Sequence, residues 1–317
     1  MHYLGIDVGG TSIKAGLVDE SGHVLESRRA LTITDDLNRF LLTLAELIRE
    51  FQKTAAIEAI GIGVPGLHSS KTHIIETSPN IPCLTHVNLV ERLADQVHIR
   101  IVTENDANAA AYAEYVCGAG VGLRQMAYLT LGTGLGSGLV LNRTLFTGAS
   151  GYGGEFGHTV LNAGSREHNT GRLCHCGNRG CVEKYVSATG IVITAEEMMN
   201  DAPNSSLHEL GRPLTSEMIY EAATRGDPTA LKVFKETGRY LGIACANLIN
   251  FLNVEMIVIG GGVMAAGELL MNPAREVAKQ YAFPSAYADS QIVQSKLWPD
   301  AGLIGAAMLA RDRYQYV

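Results

Sequence analysis

The sequence predicts an internally duplicated α/β fold, and three observations lead to it. The chain opens with a short apolar strand, YLGIDVG, which a Gly-Gly-Thr turn connects to two further strands around the turn DESGH. The stretch QMAYLTLGTGLGSGLVLNRTLF begins a second cycle of the same kind, with an apolar strand, a Gly-Thr-Gly turn and another strand. Helical segments separate the two strand–glycine–strand units, as expected for a repeated α/β unit.

The elements of the first unit follow from hydrophobic spacing and from capping residues. Residues 36–52 carry apolar side chains at helical intervals, and Asp35 is a suitable N-cap for this helix. The stretch AIEAIGIGVPG predicts a buried strand that ends in a Pro-Gly turn, LVERLADQV a helix, and IRIVTEND a strand. The alanine-rich stretch DANAAAYAEYV predicts a helix that begins at Asn105 or Asp106.

The second unit is expected to contain more helix. Residues 186–255 have a mainly helical pattern with a polar break near NDAPNSS. The stretch EMIVIGGGVMAAGELLMNPAREVAKQYA predicts a strand, a triple-glycine turn and a helix, and GLIGAAMLARDRY predicts a final helix with an apolar stripe. We place a domain boundary near residues 117–122 and expect the last helix to return to the first domain. The predicted domains are residues 1–117 with 303–317, and residues 118–302.

Composition excludes several classes of partner. The chain has 25 Lys and Arg residues against 32 Asp and Glu residues, a net charge of −7, whereas phosphate backbones select basic patches. The N-terminal stretch MHYLGIDVGG lacks the basic start and apolar core of a signal peptide, and no apolar stretch is long enough to span a bilayer. We therefore expect a cytoplasmic protein without a nucleic-acid or membrane partner. In that compartment, clustered cysteines are more often metal ligands or catalytic groups than disulfides.

Three glycine turns follow apolar strands, in DVGGTSIK, LGTGLGSG and IGGGV. Glycine lets a backbone approach an anion closely and direct several N–H groups at it, and threonine or lysine side chains add donors. A single glycine turn can also serve sterics alone, and none of the three has Walker A spacing or a convincing dinucleotide fingerprint. Three such turns, with an acid at the end of the first strand, favour phosphate binding. The candidate residues are Asp7, Gly9, Gly10, Thr11, Lys14, Gly132, Thr133, Gly134, Gly260, Gly261 and Gly262.

Three of the six cysteines, Cys174, Cys176 and Cys181, lie close together in LCHCGNRGCVEKY. His158 precedes them with enough intervening chain to loop back. One imidazole and three thiolates form a Cys₃His set, which is typical of a closed tetrahedral zinc site of structural type. The alternatives are a solvent-exposed cysteine-rich loop and a redox pair. A redox pair is less suitable, because C-x-C is not the C-x-x-C of thioredoxin-like enzymes and a third thiol would remain.

Several motifs resemble one family from about Tyr3 to the final helix. Asp7–Thr11, Gly132–Gly134 and Gly260–Gly262 are similar to the phosphate-one, phosphate-two and adenosine motifs of the superfamily of sugar kinases, actin and heat-shock ATPases. More narrowly, ENDANAAA, GYGGEFGH and CHCGNRGCVE resemble the ROK family of repressors and sugar kinases. The resemblance implies a duplicated RNase H-like (actin-like ATPase) fold, with two domains, a cleft between them and a zinc-bearing loop. It also implies a glucokinase-like sugar kinase.

The resemblance assigns roles to single residues. The family's aspartate at the position of Asp106 is the general base that takes the proton from the attacking hydroxyl, a contribution typically worth about 10²–10⁴ in rate. Taken alone, Asn105 and Asp106 are also an ordinary helix cap, and Glu155 and Glu183 are ordinary surface charges. The residues that match the family's sugar-binding positions are Gly66, Asn80, Asn105, Asp106, Glu155, His158 and Glu183.

The same resemblance implies the cofactors. ATP with Mg²⁺ would bind with its phosphates on Gly9–Thr11 and Gly132–Gly134 and its adenosine near Gly260–Gly262, and Asp7 would hold the magnesium through water. In ROK proteins, the residues that match His158, Cys174, Cys176 and Cys181 bind zinc. The second ring nitrogen of His158 would remain available for a sugar hydroxyl.

Glucose, phosphorylated to glucose 6-phosphate, is the first choice of substrate, because GGTSIKAGLVD and GYGGEFGH resemble ROK glucokinases most. Kinases of N-acetylmannosamine, N-acetylglucosamine, fructose and allose share the motifs, and polyphosphate is an alternative donor. A ROK repressor would need an N-terminal helix-turn-helix, for which the sequence before residue 3 leaves no room, and an actin-like or chaperone ATPase would not need the zinc motif. A homodimer is the family's usual minimum. The segment between His158 and Cys174 is expected to modify the sugar pocket.

Overall fold

Two five-stranded sheets form the framework of the protein, for which a computed structural model describes residues 1–162 and 171–315. The strands are β1 (His2–Val8), β2 (Ser12–Asp19), β3 (Val24–Leu31), β4 (Ala59–Val64), β5 (Leu67–His68), β6 (Ile75–Thr77), β7 (Arg100–Asn105), β8 (Gln125–Leu131), β9 (Leu135–Leu141), β10 (Thr144–Phe146), β11 (Met256–Gly260) and β12 (Gln291–Gln294). Strands β5 and β6 form a separate two-stranded ribbon.

The two large sheets have the same strand order. The first is β3-β2-β1-β4-β7 and the second is β10-β9-β8-β11-β12, so each consists of three sequential strands followed by two that are added beside the first of them. In the first sheet, β1, β2 and β3 pair antiparallel, whereas β4 and β7 are parallel to β1. In the second, β10 pairs antiparallel with β9, and β12 is parallel to β11. The repeated order confirms the duplicated α/β fold that the glycine turns predict.

Helices connect and cover the strands. None of them, in residues 1–162 and 171–315, has the length and apolar character that crossing a membrane requires. The helices are α1 (Leu37–Gln52), α2 (Leu89–Ala94), α3 (Asp106–Cys117), α4 (Glu183–Val186), α5 (Ala188–Met199), α6 (Ser216–Thr224), α7 (Pro228–Leu252), α8 (Glu268–Tyr281), α9 (Pro284–Ala288) and α10 (Ala301–Gln315), with short 3₁₀ turns at Pro82–Leu84, Phe156–His158, Ser206–Glu209 and Gly262–Ala266.

The structure corrects the predicted N-cap of α1 and identifies which of two candidate residues caps α3. Asp36, not Asp35, is the N-cap of α1, because its side chain accepts a hydrogen bond from the backbone N–H of Arg39. At α3, Asn105 is the N-cap and Asp106 is the first helical residue. Two adjacent aspartates are equivalent in a sequence pattern, and only the backbone geometry selects between them.

The chain divides into two compact units. The first comprises Met1–Tyr128, Gly138–Gly154 and Ser295–Val317, and the second comprises Leu129–Ser137 and Glu155–Gln294. The first unit has an apolar core between its sheet and α1, whose buried residues include Phe40, Leu44 and Phe51. The domain division predicted from the sequence stays a prediction.

Helix α10 approaches the first sheet so closely that glycine is required at the contact. A Cβ atom on Gly61 of β4 would lie 1.8 Å from the carbonyl oxygen of Ala306, and one on Gly5 of β1 would lie 1.8 Å from that of Leu303. Gly305 makes an equally close approach to the backbone of α3. Because these neighbours are backbone atoms, no side-chain rotation could relieve the clash.

We expect Gly61→Ala to lower the free energy of unfolding by about 3 kcal/mol, because α10 would have to move away from the sheet. Gly211→Ala is a suitable control, since the nearest atom that a Cβ there would meet, in the part of the chain that the structure describes, is the Cε of Met218 at 3.7 Å. Denaturant unfolding of both variants checks this. Equal free energies of unfolding for Gly61→Ala and Gly211→Ala would contradict the close approach of α10 to the first sheet.

Candidate functional site

Two acidic residues lie at neighbouring strand ends in the first unit. Asp7 lies opposite Gly63 in the pairing of β1 with β4, and Gly63 lies opposite Glu104 in the pairing of β4 with β7. This register brings Asp7 and the start of α3 to the same edge of the sheet. A Cβ on Gly63 would lie 3.5 Å from the Cα of Asp106, so the strand end and the helix start are in contact.

The carboxyl groups of Asp7 and Asp106 both have raised pKa values. Burial and, to a smaller degree, the neighbouring charge of Asp106 raise the pKa of Asp7 to about 7, and the charge of Lys14 limits this increase. Burial also raises the pKa of Asp106, although the N–H of Ala107 opposes this by donating to its side chain. Acids with raised pKa values that lie close together are typical of functional sites.

The side chain of Asn105 is held by three hydrogen bonds. Its Oδ1 accepts from the N–H groups of Ala107 and Asn108 at 2.9 and 3.1 Å, and its Nδ2 donates to the carbonyl oxygen of Gly66 at 3.2 Å. Gly66 has φ +131°, and a Cβ there would lie 2.2 Å from the carbonyl oxygen of Thr77. The cap and the glycine therefore fix the turn that presents Asp106.

The first glycine turn, Gly9–Thr11, joins β1 to β2. The N–H of Gly9 donates to the carbonyl oxygen of Ser12 at 3.0 Å, and the hydroxyl of Thr32 donates to the carbonyl oxygen of Gly9 at 2.7 Å. A Cβ on Gly10 would lie 3.5 Å from the Cβ of Asn80, which is an ordinary van der Waals distance. A predicted phosphate residue and a predicted sugar residue are therefore neighbours.

Lys14 pairs with groups at the start of the last helix. Its Nζ contacts a carboxylate oxygen of Asp300 and donates to the carbonyl oxygen of Pro299 at 3.2 Å. The side chain of Lys14 is only 14% exposed. The sequence predicts that the charge of Lys14 binds phosphate, whereas in this structure the carboxylate of Asp300 compensates that charge.

Gly302 lies against the carboxylate of Asp7. A Cβ at Gly302 would lie 2.5 Å from one carboxylate oxygen of Asp7 and 2.9 Å from the other. Asp7 therefore contacts the first turn of α10, where the backbone N–H groups of a helix favour negative charge. Sequence reasoning missed Gly302, since no pattern links it to a residue almost the whole chain away.

The second glycine turn, Gly132–Gly134, joins β8 to β9 and is anchored to α5. The N–H of Gly132 donates to the carbonyl oxygen of Gly134 at 3.0 Å, and the hydroxyl of Thr189 donates to the carbonyl oxygen of Thr133 at 2.7 Å. The N–H of Ala188 donates to the carbonyl oxygen of Gly132 at 2.9 Å. Three bonds thus hold a turn with no side chain bulkier than threonine.

The third glycine turn, Gly260–Gly262, lies beside the end of β8. Gly261 has φ +93°, and a Cβ there would lie 2.3 Å from the carbonyl oxygen of Leu131. Because Leu131 directly precedes the second turn, the predicted phosphate and adenosine turns of the second unit are neighbours. Among the described residues, apart from Gly262 and its chain neighbours, no atom lies within 4 Å of a Cβ position built on Gly262.

The four predicted metal ligands converge. The ligand atoms of His158, Cys174, Cys176 and Cys181 all lie within 4.8 Å of one another. The Sγ of Cys174 is 3.6 Å from the Nδ1 of His158, and the Sγ atoms of Cys176 and Cys181 are 3.6 Å apart. Tetrahedral zinc with bonds of about 2.0–2.3 Å spaces its ligands by about 3.3–3.8 Å, so the set fits zinc.

The thiols need a cation to ionise together. Burial and, to a smaller degree, the neighbouring thiols of Cys174 and Cys176 raise the pKa of Cys181 to about 12. Burial also raises the pKa of Cys174. A divalent cation favours the thiolate forms and displaces the protons. The donor chemistry, three sulfurs and one imidazole nitrogen, is that of structural zinc.

Glu183 connects the metal-ligand cluster with the second glycine turn. Its Oε2 accepts from the N–H of Leu135 at 3.1 Å, and a Cβ on Gly134 would lie 2.3 Å from that oxygen. Its Oε1 lies 3.8 Å from the Sγ of Cys174 and 3.5 Å from the Nζ of Lys184. Glu183 is therefore no freely solvated surface charge.

Glu155 and His158 are held by the 3₁₀ turn that precedes the cysteines. The N–H of His158 donates to the carbonyl oxygen of Glu155 at 3.1 Å. With its Nδ1 among the thiols, the Nε2 of His158 remains for another partner. Part of the segment expected to modify the sugar pocket, residues 163–170, lies outside the described residues.

We expect the parent protein to bind about one zinc per chain and Cys176→Ser to lose most of it, because oxygen replaces one of four ligands. Sugar affinity should fall as well, since Glu183 would lose an ordered neighbour. Metal analysis and sugar titration measure both. Cys83→Ser, outside the cluster, should retain the metal. Unchanged zinc content in Cys176→Ser would contradict the proposed set of four ligands. Loss of the metal with unchanged sugar affinity would mean that the metal has a structural role only.

Comparison with known proteins supplies independent evidence. A model described as the ROK family matches residues 3–313. A glucokinase from Thermotoga maritima is 36% identical over 99% of this chain and 98% of its own length, and a xylose repressor from Caldicellulosiruptor bescii is 30% identical over 99% of this chain and 79% of its own. The crystal structure of a ROK family glucokinase from Streptomyces griseus, in complex with glucose and AMPPNP, has a TM-score of 0.85 and 34% identity, covering 98% of this chain and 100% of that one. These similarities confirm the RNase H-like, actin-like ATPase fold.

Proposed function

The chain belongs to the ROK family and is a hexose kinase, and we propose that it transfers the γ-phosphoryl group of ATP to the 6-hydroxyl of glucose. The observation that carries this proposal is the arrangement in the first unit. There, Asp106 lies beside Asp7 at one sheet edge, and Gly10 of the first glycine turn is a neighbour of Asn80. A base, a phosphate turn and a sugar-binding residue are thus provided by one set of strand ends.

In the proposed reaction, Asp106 is the general base. Its carboxylate takes the proton of the 6-hydroxyl while the hydroxyl oxygen forms a bond to the γ-phosphorus. The bond between that phosphorus and the bridging oxygen of ADP breaks, and ADP leaves with the electron pair. Burial makes Asp106 a stronger base than an exposed aspartate, because it disfavours the charged form.

The nucleotide is bound mainly by backbone groups in this proposal. Gly9–Thr11 and Gly132–Gly134 direct N–H groups at the phosphates, and Gly260–Gly262 leaves room for adenosine. Asp7 would hold Mg²⁺ through water, because its carboxylate, with a pKa raised to about 7, is one whose charge a cation would stabilise. Bound there, magnesium would supply positive charge to the β- and γ-phosphates.

The residues that we propose to bind glucose come from two parts of the chain. Asn80, Asn105 and Gly66 serve it from the first unit's strand ends, and Glu155, His158 and Glu183 from the loop that carries the metal ligands. Zinc bound by the three cysteines and His158 would keep these last side chains in place, and the Nε2 of His158 would bond a sugar hydroxyl. A homodimer and a cytoplasmic location stay predictions.

A coupled ADP-release assay against a panel of sugars tests the proposed substrate. The panel contains glucose, fructose, allose, N-acetylglucosamine and N-acetylmannosamine, each with ATP or polyphosphate and Mg²⁺. We expect the highest kcat/KM for glucose with ATP. A higher kcat/KM for an N-acetylhexosamine or another hexose would mean that this sugar, and not glucose, is the substrate. The shape of the pocket decides between such sugars.

A further inference from the structure

We propose that Glu104 is a positioning residue that sets the orientation of the Asn105–Asp106 turn, and that Arg313 of the last helix holds Glu104 in place. The inference rests on the proposed function of Asp106 as the base. Glu104 is the penultimate residue of β7 and is only 7% exposed. It contacts the turn and helices α3 and α10, as the following contacts show.

One carboxylate oxygen of Glu104 accepts hydrogen bonds from the Asn105–Asp106 turn and from the start of α3. Its Oε1 accepts from the backbone N–H of Asn105 at 3.0 Å and from the Nδ2 of Asn108 at 3.1 Å. The first bond fixes the peptide that enters the turn, and the second fixes a side chain in the first turn of α3. Asp106 lies between these two anchored residues.

The side chain of Asn108 depends on this contact. It is 3% exposed, and among the described residues its Oδ1 has no hydrogen-bond partner. A carboxylate can only accept, so the amide must direct its Nδ2 at Glu104. Without Glu104, both polar atoms of a buried amide would lack a partner, and the helix start would be under pressure to rearrange.

The second carboxylate oxygen of Glu104 pairs with the last helix. Its Oε2 accepts from Nη2 of Arg313 at 2.6 Å. Arg313 is 44% exposed and the carboxylate side chain 9%, so the arginine covers an otherwise buried charge from the solvent side. A buried carboxylate that loses its cation is strongly disfavoured, which gives Arg313 a role beyond that of a surface ion pair.

Space beside Glu104 makes substitution feasible. The residue lines a cavity of about 240 Å³ together with His68, Thr103 and Arg313. Removing its side chain would enlarge existing polar space and leave the apolar core intact. Misplacement of a catalytic group by about 1 Å can lower the rate by about 10²-fold, so a small relaxation of the turn has a measurable consequence.

The test compares Glu104→Ala, Glu104→Gln and Arg313→Met with Glu114→Ala as the matched control. Glu114 is a second buried glutamate, on α3, that accepts from the N–H groups of Ala119 and Leu297. We expect kcat of Glu104→Ala to fall about 10²-fold with the KM for ATP nearly unchanged. Glu104→Gln keeps an accepting oxygen and should recover most of the lost kcat. The kcat of Arg313→Met should fall several-fold. Glu114→Ala should lose stability but retain the kcat of the folded fraction.

Amide hydrogen exchange supplies a readout independent of turnover. Loss of the acceptor should accelerate exchange at the N–H of Asn105 in Glu104→Ala and leave it unchanged in Glu114→Ala. A parental kcat in Glu104→Ala, a fall matched by Glu114→Ala, or unchanged exchange at Asn105 would overturn the positioning role. If the parent protein phosphorylated no sugar, the proposed function would fail by itself, and the exchange experiment would still decide whether Glu104 orders the turn.

Discussion

Asp106→Asn is expected to fold and bind hexose, yet to lose about 10²–10⁴ in kcat, the usual contribution of a positioned general base. An amide of the same shape can keep the hydrogen bond that the N–H of Ala107 donates to Oδ1 at 2.9 Å. Asn105, the actual cap of α3, is untouched, so the helix should begin as before. What the variant loses is the ability to take a proton from the sugar hydroxyl.

Steady-state kinetics and calorimetric titration with the sugar separate these effects. A loss in kcat with nearly parental sugar affinity supports Asp106 as the base. Asp36→Asn, which changes an aspartate at the N-cap of α1, should leave both quantities unchanged because asparagine caps equally well. Near-parental turnover in Asp106→Asn would remove Asp106 from the role of base.

Asp7→Asn is expected to increase stability at pH 8 while abolishing most turnover. The pKa of Asp7 rises from 3.8 to about 7 on folding, so the folded state holds this proton more tightly than the unfolded state. Its contribution to stability is full below about pH 4 and is lost as the pH rises through about 7. Above that pH the carboxylate is charged beside Asp106, and its removal should stabilise the nucleotide-free protein by about 2–4 kcal/mol.

Denaturant unfolding at pH 8 and pH 4, without nucleotide, measures the predicted difference. The stabilisation should be present at pH 8 and nearly absent at pH 4, where Asp7 already carries its proton. Asp95→Asn, at an exposed carboxylate, should show no comparable gain at pH 8. Equal stability of Asp7→Asn and the parent protein at pH 8 would mean that the site does not disfavour the charge of Asp7.

The duplicated architecture is readable from the sequence because it rests on local patterns. The strand–glycine–strand unit occurs twice, and the two units begin two sheets with the same strand order. The capping asparagine of α3 is also local, since a cap reaches only two or three residues ahead. Asp35 and Asp36 show the limit of such reasoning, because the same capping residue type occupies both adjacent positions.

The metal-ligand cluster is predictable for a similar reason. Three of its four ligands lie within one short stretch, and the chemistry of three thiols and an imidazole leaves few alternatives. The geometry adds what the stretch cannot show. Glu183 reaches from this loop to the N–H of Leu135, and that contact exists only because Gly134 has no side chain.

The remaining determinants of the site join residues far apart in the chain. Lys14 meets Asp300, Gly302 meets Asp7, and Glu104 meets Arg313, in each case through α10 or the residue that precedes it. Amphipathic patterns predict that the last helix exists, but its register against the sheet is a tertiary property. No local signal distinguishes Glu104 from an ordinary glutamate at a strand end.

Identification of the product by ³¹P nuclear magnetic resonance tests the central claim most directly. The protein is incubated with ATP, Mg²⁺ and glucose, and the phosphorus signals are followed to completion. The account predicts glucose 6-phosphate and ADP in equal amounts, with no accumulation of inorganic phosphate. Release of inorganic phosphate without a sugar phosphate, or phosphate on a different hydroxyl of glucose, would contradict transfer to the 6-hydroxyl.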